Sequence, residues 1–424
     1  MRPKLTISLT ILSILAISAL FFITGTYNTP PDEAEQAAVA VVNPRPEPII
    51  KPEPHPEPQP PVIHRAKIAA VGDIMLHEWQ FNDAFNPETG RREFDPKFGY
   101  IARYIQNADF AMGNLETTFS GTERGYAFFP LFNAPDSFGH AIKNAGFDFL
   151  TTANNHLNDK REGGLFRTLD FLDELGIAHH GAFRSQEERD NIRLTEINGI
   201  TFVILGYSYG TNGIPLAQPY QMNLIDDELI RADIAAAKLL NPDFIIISPH
   251  MGIEYATVPD ELTKRTVRMM LEAGADIVLI HHPHVLQPME FIDIVNEDGT
   301  VRRAFVIYSL GNFVSSQRTL PRERSIILNL YFEKIGDERA TLTAVSYVPI
   351  WVQFIDAMGR YNIRVLPVYD TLRQINSGAD VNLRPQDMAH LQTVLDYITA
   401  LYGGEPRNLG DGFWEFFVEM PPVG

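Results

Sequence analysis

The fold is decided by the stretch Ala275–Val285, which reads ADIVLIHHPHV. Its apolar first half shows no polar alternation, which indicates a buried strand of a parallel sheet. Three of the chain's 12 histidines, His281, His282 and His284, follow where that strand should end. Ligands bind at the carboxyl ends of strands in open α/β sheets, and imidazole is a common metal ligand. The stretch therefore predicts an α/β fold with a metal site at the strand end, and the alternative is a solvated turn rich in histidine.

Four other apolar segments also run into side chains that can bind a metal ion. They are Ile68–Val71, followed by Asp73 and His77; Asp109–Met112, followed by Glu116; Phe147–Leu150, followed by Asn154, Asn155 and His156; and Phe244–Pro249, followed by His250. Oxygen and nitrogen ligands without thiolate suit a hard or borderline divalent ion such as Mn, Fe, Zn or Mg. Because such side chains recur at every one of these strand ends, we predict a single site that holds one or two divalent ions.

Residues 1–26 are predicted to form a signal-anchor helix. Arg2 and Lys4 precede the uncharged stretch Leu5–Thr24, whose length of about 20 residues can span a bilayer as a helix. The basic residues place the N-terminus in the cytoplasm and the rest of this single-pass protein outside the cell membrane. The alternative is a signal peptide whose cleavage releases a secreted protein. The chain has no cysteine, which excludes disulfide bonds and a lipid anchor on a cysteine thiol.

Residues 27–65 are predicted to be an extended linker, because alternating proline, as in Lys51–Pro58, favours a polyproline conformation. His55 and His64 are expected to be solvated residues of this linker.

Residues 66–424 are predicted to form one large α/β domain. Its expected helices are Pro96–Asn107, Gly163–Leu175, Asp226–Leu239, Pro259–Ala273 and Gln386–Tyr402, and its expected later strands are Ala304–Ser309, Ser325–Phe332 and Thr341–Val348. Alternating strands and helices followed by a run of strands predict two packed sheets flanked by helices.

The net charge of −18 at pH 7 argues against a nucleic-acid-binding protein, which would need a basic face. The same acidity repels a polyanionic polymer everywhere except at a metal site. Arg161 is a candidate for drawing in an anionic substrate, and it is equally well explained as an ordinary surface residue.

Six segments, in order along the chain, resemble the CapA/PgsA family, whose members are linked to the synthesis of capsular poly-γ-glutamate. The segments are Gly72–Leu76, Asn114–Glu116, Asn154–Gly164, His250–Tyr255, His281–Val285 and Tyr308–Phe313, and the resemblance extends over residues 66 to about 317. The family's domain is similar to calcineurin-like metallophosphoesterases. The resemblance therefore implies a metallophosphatase-like αββα sandwich, in which two packed sheets are flanked by helices.

The resemblance also implies roles for individual residues. The positions that match metal ligands are Asp73, Glu116, Asn155, His250, His282 and His284, with Asn154 as an alternative ligand to Asn155. His156 matches the residue that gives a proton to the leaving group. Met75 stands where the superfamily has a histidine, so His77 is expected to replace it as a ligand. Expected substrate contacts are Asn154, Arg161, Glu254, Tyr255 and Asn312, of which the last three are alternatively explained as loop structure.

Together these features predict a membrane-anchored, extracytoplasmic protein of capsule or cell-envelope polymer biosynthesis. The expected activity is metal-dependent hydrolysis of phosphoester or γ-glutamyl amide bonds. One alternative is a non-catalytic accessory subunit of a polymer synthesis and export complex, which binds polymer through its metal site; another is a structural envelope protein. Expected partners are a poly-γ-glutamate-like polymer, inner-membrane synthesis or export proteins and the membrane itself, and no nucleic acid.

Overall fold

The computed structural model describes residues 60–296, 298–379 and 381–422. The predicted anchor and nearly all of the predicted linker, including His55, lie outside this range. Within it, no helix has both the length and the apolar character that crossing a membrane requires.

Strands and helices alternate through the first part of the described chain, and antiparallel strands dominate the part that follows. The helices are α1 Glu78–Asp83, α2 Asp95–Phe98, α3 Ala102–Gln106, α4 Asp136–Ala145, α5 Arg161–Glu174, α6 Gln186–Asp190, α7 Asp227–Leu239, α8 Glu261–Ala273, α9 Val368–Asn376 and α10 Pro385–Tyr402, with short 3₁₀ turns at Thr122–Arg124 and Pro219–Gln221. The strands are β1 Ile63–Ile74, β2 Phe85–Asn86, β3 Arg91–Arg92, β4 Phe110–Leu115, β5 Phe149–Thr151, β6 Ala178–His180, β7 Thr195–Ile197, β8 Ile200–Ser208, β9 Phe244–His250, β10 Ile277–Leu279, β11 Met289–Val295, β12 Val301–Ile307, β13 Asn312–Val314, β14 Arg324–Ile335, β15 Thr341–Ile355, β16 Tyr361–Pro367, β17 Glu405–Asn408 and β18 Trp414–Phe417.

Two large sheets are built from these strands. The first has ten strands: β17, β18, β15, β14, β1, β4, β5 and β6 are successive neighbours, β13 also pairs with β1, and β16 with β15. The second has six strands, in the order β11, β12, β10, β9, β8, β7. Strands β1, β4, β5 and β6 run parallel, and so do β8, β9, β10 and β12. Each sheet therefore brings several strand carboxyl ends to one edge, where ligands bind in α/β folds.

The two sheets pack face to face, because alternate residues of their strands enter one shared core. Ile68 of β1 and Ile204 of β8 belong to this core. Phe332 of β14 reaches across it, with its ring centroid 5.0 Å from that of Phe202 and 4.7 Å from that of Phe244. The side chains that alternate with these along each strand point away from the shared core and pack on the outer faces of the sheets. On the ten-stranded sheet they pack against α2 to α5, and on the six-stranded sheet they pack against α7 and α8. The predicted α/β class with helix-flanked sheets is confirmed.

Two local predictions are wrong. His64 is not a solvated linker residue, because β1 begins at Ile63 and pairs His64 with Lys334 of β14. The ring of His64 also approaches the backbone, with Nδ1 3.0 Å from the Asn198 carbonyl oxygen. The helix predicted over 96–107 is instead two short helices, α2 and α3. Gly99, a poor helix former, lies at the break, where the chain makes a tight turn.

Gly72 allows the chain before β13 to reach the carboxyl end of β1. The amide of Asp73 donates a hydrogen bond of 2.9 Å to the carbonyl oxygen of Gly311. A Cβ atom on Gly72 would lie 1.8 Å from that oxygen, which is inside van der Waals contact. Only glycine permits this approach, which fixes the backbone at the position of Asp73.

We expect Gly72→Ala to destabilise the protein by about 1–3 kcal/mol or more, because the added methyl group displaces the Gly311 backbone. The measurement is thermal unfolding of the variant beside the wild-type protein. Gly99→Ala is the matched control, since a Cβ atom there would meet the Pro96 carbonyl oxygen at 3.6 Å, an ordinary contact. Unchanged stability in Gly72→Ala, or an equal loss of stability in the control, would contradict the conclusion that only glycine fits at position 72.

Candidate metal centre

The candidate site lies at the carboxyl ends of strands from both sheets. The ten-stranded sheet supplies Asp73 near the end of β1 and Glu116 directly after β4. The six-stranded sheet supplies His250 at the end of β9 and the loop His281–His284 after β10. Asp73 and Glu116 are fully buried, at 0% exposure, and the histidines are nearly so. The site therefore depends on both sheets and on how they are packed together.

Three overlapping groups of side chains can each hold a metal ion. Within each group the ligand atoms all lie within 4.8 Å of one another. The groups are Asp73, Glu116 and His284; Glu116, His250 and His282; and Glu254, His282 and His284. Glu116 belongs to two of the groups, so its carboxylate would help to hold an ion bound at either of them.

Both carboxylate oxygens of Glu116 are buried without a hydrogen-bond partner among the described residues. The Nε2 atoms of His250 and His284 lie 3.5 and 3.8 Å from Oε1 of Glu116, too far for good hydrogen bonds. Nδ1 of His282 is also buried with no partner in the described chain. An unpartnered buried carboxylate is costly, and a divalent cation between it and the imidazoles would remove that cost. The residues present therefore fit a divalent metal ion.

The two buried carboxyl groups have opposite pKa shifts. Burial opposes ionisation of Asp73, but the neighbouring imidazoles of His281 and His284 hold its pKa well below the usual range. Burial and then the charge of Asp73 raise the pKa of Glu116 to about 8. Burial, followed by the nearby His250 and His284, lowers the pKa of His282 to about 3. Neutral imidazole is the metal-binding form, so His282 is ready to bind a cation, whereas metal binding at Glu116 competes with a proton.

A chain of amides supports Asp73. Nδ2 of Asn114 donates to Oδ1 of Asp73 at 2.8 Å, and Nδ2 of Asn154 donates to Oδ1 of Asn114 at 3.1 Å. Asn154 also donates to the Leu115 carbonyl oxygen at 2.7 Å. Asn155 instead contacts a ligand histidine, with Oδ1 2.8 Å from Nε2 of His250. Of the two asparagines considered as ligands, Asn155 lies beside the ligand groups and Asn154 orients Asn114.

His156 is held next to the ligand groups and is not part of them. Its Nδ1 atom lies 2.8 Å from Oδ2 of Asp159, which also accepts a hydrogen bond of 2.7 Å from the Phe132 amide. The Phe132 ring packs edge-on against the imidazole, with centroids 4.7 Å apart. A carboxylate on Nδ1 fixes the tautomer, so Nε2 is left for proton transfer or for other contacts. Nε2 lies 3.5 Å from the side-chain nitrogen of Asn212.

His284 is oriented by two oxygen acceptors. Its Nδ1 atom lies 3.0 Å from Oδ2 of Asp73 and 3.1 Å from Oδ1 of Asn312. Burial opposes protonation of His284, but the charge of Glu116 and the hydrogen bond with Asp73 raise its pKa to about 9, so a cation bound at Nε2 would displace a proton. The backbone around it is unusual, since His282 and His284 have φ angles of 96° and 60°. Non-glycine residues rarely adopt positive φ, and such strain persists where side chains must be held in a set orientation.

His77 and Arg161 are not brought into the ligand groups. His77 is half-buried, its Nδ1 atom accepts a hydrogen bond of 3.3 Å from the Ser316 amide, and none of the three groups contains it. Burial and then the charge of His284 lower the pKa of His77 to about 4. Arg161 is exposed at the first residue of α5.

The other predicted substrate residues lie at the mouth of the site. Glu254 is exposed, yet its carboxylate completes a ligand group with His282 and His284. Tyr255 is 38% exposed, and its ring centroid lies 6.0 Å from that of His284. Asn312 is buried and contacts His284, so it is placed to orient a ligand histidine.

Several site residues were missed by the sequence reasoning. His281 was seen only as part of the histidine run, yet its Nδ1 atom lies 3.5 Å from Oδ1 of Asp73. Tyr209 stacks near His282, with ring centroids 4.6 Å apart, and Asn212 accepts a hydrogen bond of 3.2 Å from Asn155. Both lie in the loop after β8, an apolar strand whose end could have been examined in the same way as the others.

The family model described as "Bacterial capsule synthesis protein PGA_cap" matches residues 67–317, which include most of the site. The chain belongs to this family. It is 29% identical over 293 residues to "Capsule biosynthesis protein CapA" of Bacillus anthracis, covering 65% of this chain and 67% of that protein. It is 28% identical over 288 residues to "PGA biosynthesis protein CapA" of Bacillus subtilis (strain 168), covering 65% of this chain and 70% of the relative.

Solved structures of phosphoesterases are also similar to this family member, at low sequence identity. The calcineurin-like phosphoesterase YfkN from Bacillus subtilis matches with a TM-score of 0.39 and 12% identity, over 80% of this chain and 99% of that chain. The Haemophilus influenzae NAD nucleotidase NadN matches with a TM-score of 0.43 and 12% identity, over 81% of this chain and 62% of that chain.

We expect Glu116→Gln to lower divalent metal affinity by about 10–100-fold or more, because it removes the anionic ligand that two groups share. The measurement is elemental analysis after dialysis, followed by titration with Mn²⁺, Zn²⁺ and Mg²⁺. His140→Ala is the control, since His140 is exposed on α4 and belongs to none of the ligand groups. Undiminished metal in a folded Glu116→Gln protein would show that Glu116 is not a ligand.

Proposed function

We propose that this protein is a membrane-anchored, extracytoplasmic hydrolase of capsule or cell-envelope polymer biosynthesis that depends on one or two divalent metal ions. Membership of the capsule synthesis family and the names of the two Bacillus relatives support the biological role. The observation that carries the proposal is Glu116, whose two oxygens have no hydrogen-bond partner among the described residues and which belongs to two groups of possible ligands. The bonds proposed for hydrolysis are phosphoesters or the amide bonds of a γ-glutamyl polymer.

The protein's own residues divide into those that bind a cation and those that position them. Bound metal would supply polarisation of the scissile group and activation of the attacking water. Asp73, Glu116, His250, His282 and His284 would hold it, with Asn155 beside His250. The amide chain from Asn154 through Asn114 keeps the Asp73 carboxylate in place. Because the ligands come from both sheets, their geometry is set before substrate arrives, which is what electrostatic catalysis needs.

His156 is proposed as the proton donor to the leaving group. Nδ1 lies against Asp159, so the proton to be transferred would be the Nε2 proton of the imidazolium form. His156 is close enough to Glu116 and His250 for its charge to influence the pKa of both, which supports a role beside the metal ligands. An imidazole is suited to this role because it exchanges protons near neutral pH.

The alternative function is a non-catalytic accessory subunit of a polymer synthesis and export complex. It is supported by the same ligand groups, because binding a polymer carboxylate to a metal ion requires no turnover. It needs no proton donor, so the importance of His156 separates the two functions. Under either function, the proposed partners are a poly-γ-glutamate-like polymer, inner-membrane synthesis or export proteins, and the membrane through residues 1–26.

We expect His156→Ala to keep its metal and to slow hydrolysis by about 10²–10⁴-fold, the usual contribution of general acid catalysis. Activity is measured on a chromogenic phosphodiester and on a γ-glutamyl amide, with metal content determined in the same preparation. Asn155→Ala is the comparison, since it should lower metal binding and activity together.

Two results would contradict the division of roles. If His156→Ala loses metal as readily as Asn155→Ala, then His156 is a ligand and not the proton donor. If polymer production in cells survives His156→Ala but not Asn155→Ala, turnover at this site is not the function and the accessory role, which needs only the bound metal, is supported.

We expect external protease to remove the folded domain from spheroplasts, because the basic residues Arg2 and Lys4 hold the N-terminus in the cytoplasm. The digestion is followed with an antibody to a C-terminal tag, and a cytoplasmic enzyme serves as the integrity control. Protection of the whole chain until the cells are lysed would show that the proposed topology is wrong.

A further inference from the structure

Arg322 precedes β14 and is connected to the metal centre in two ways. Its guanidinium carbon lies 3.7 Å from the ring centroid of Tyr255, and that ring centroid is 6.0 Å from that of His284. Its carbonyl oxygen accepts a hydrogen bond of 3.1 Å from Asn312, whose side-chain oxygen contacts Nδ1 of His284. Both the side chain and the backbone of Arg322 are therefore fixed relative to a ligand histidine.

The guanidinium of Arg322 has no acidic partner in the described part of the chain. Its Nε atom is buried and lacks a hydrogen-bond acceptor among the same residues. A shortage of carboxylates does not explain why Arg322 lacks an acidic partner there, because the chain has 53 acidic residues against 35 lysines and arginines. Arg360 and Arg384, for comparison, each pair with an aspartate, at 2.8 and 2.7 Å. A buried donor without an acceptor costs free energy unless a ligand supplies the acceptor.

The stack on Tyr255 occupies one face of the guanidinium and not the edge that carries its N–H donors. A guanidinium that lies on an aromatic face keeps its N–H donors in its own plane, where they match a carboxylate or phosphate bidentately. Tyr255 is 38% exposed, so the stack opens to solvent. Its backbone is fixed to the histidine loop, because its amide donates a hydrogen bond of 2.8 Å to the Pro283 carbonyl oxygen.

We propose that Arg322, stacked on Tyr255, is an anion-binding subsite that holds a carboxylate of an acidic polymer beside the metal centre. The polymer class rests on the proposed function, whereas the subsite itself rests on the geometry of Arg322. An unpaired arginine next to a cation site provides local attraction for a polyanion on a chain whose net charge is −18. Arg322 would therefore attract an anionic substrate, a role for which Arg161 was the candidate in the sequence.

The test is equilibrium binding of a fluorescent γ-glutamate oligomer to the full-length, Mn²⁺-loaded protein. Arg322→Gln should weaken binding about 10-fold or more at unchanged metal content, because a charge-assisted bidentate contact is lost. Arg322→Lys should recover only part of the affinity, since lysine keeps the charge but not the planar fork. The matched control is Arg318→Gln, an exposed arginine of the same loop that stacks on Phe354, and it should change binding less than about twofold.

A second probe makes the result independent of any one variant. Amidation of the oligomer carboxylates should weaken binding to the wild-type protein by a larger factor than it weakens binding to Arg322→Gln, because only the contact with the metal ion remains to be lost in the variant. Should Arg322→Gln fail to fold, Arg322→Lys is compared with the wild-type protein in the same way. Equal affinity of wild-type and Arg322→Gln proteins for the charged oligomer would overturn the proposal, and so would an equal loss in Arg318→Gln. Tighter Arg322-dependent binding of a polyphosphate probe would overturn the choice of carboxylate.

This experiment measures binding and does not require turnover. A protein that binds the oligomer through Arg322 and hydrolyses nothing would contradict the proposed hydrolase while supporting the subsite. If wild-type and Arg322→Gln proteins hydrolysed the substrates equally well, that result would support the proposed hydrolase and contradict the subsite.

Discussion

The rest of the structure depends on the burial of two carboxyl groups, Asp73 and Glu116, side by side. Their oxygens belong to one group of atoms that all lie within 4.8 Å of one another. At that separation two full charges repel by about 3–4 kcal/mol at an effective dielectric constant of about 20. His284 and Asn114 form hydrogen bonds with Asp73, but Glu116 has no such partner among the described residues. A bound cation would therefore stabilise the fold as well as create the reactive site.

This constraint also explains why the site and the sheet packing are coupled. Glu116 extends from the ten-stranded sheet, whereas His250 and His282 extend from the six-stranded sheet. A cation held by all three would cross-link the two layers at their shared edge. The apolar core between the sheets, with Phe332 against Phe202 and Phe244, sets the spacing that such a cross-link requires. Packing far from the site thus determines the distances between ligand atoms.

Much of this arrangement is readable from the sequence, because buried parallel strands appear as unbroken apolar runs and their ends hold the functional side chains. The sequence does not show in which direction each of these side chains points. The pairing of β1 with β4 shifts register between Ala70 and Asp73, and such a shift changes which face a residue occupies. His77 lies against Phe132, for example, while His281 approaches Asp73. Contacts between distant loops, such as Arg322 on Tyr255, leave no local pattern to detect.

The strong acidity of the chain is compatible with an acidic polymer, because attraction and repulsion act over different ranges. Exposed charges are screened beyond about 8–10 Å at physiological ionic strength, so the net charge of −18 weakens encounter more than it weakens a contact already made. Inside the mouth of the site, a divalent cation and Arg322 would face the ligand across a few ångströms, with little solvent between. The ligand residues are nearly fully buried, whereas Tyr209 and Tyr255 are 47% and 38% exposed. Selectivity for the polymer would therefore be set by these short-range contacts, and the surface charge would mainly exclude polyanions that cannot bind the cation.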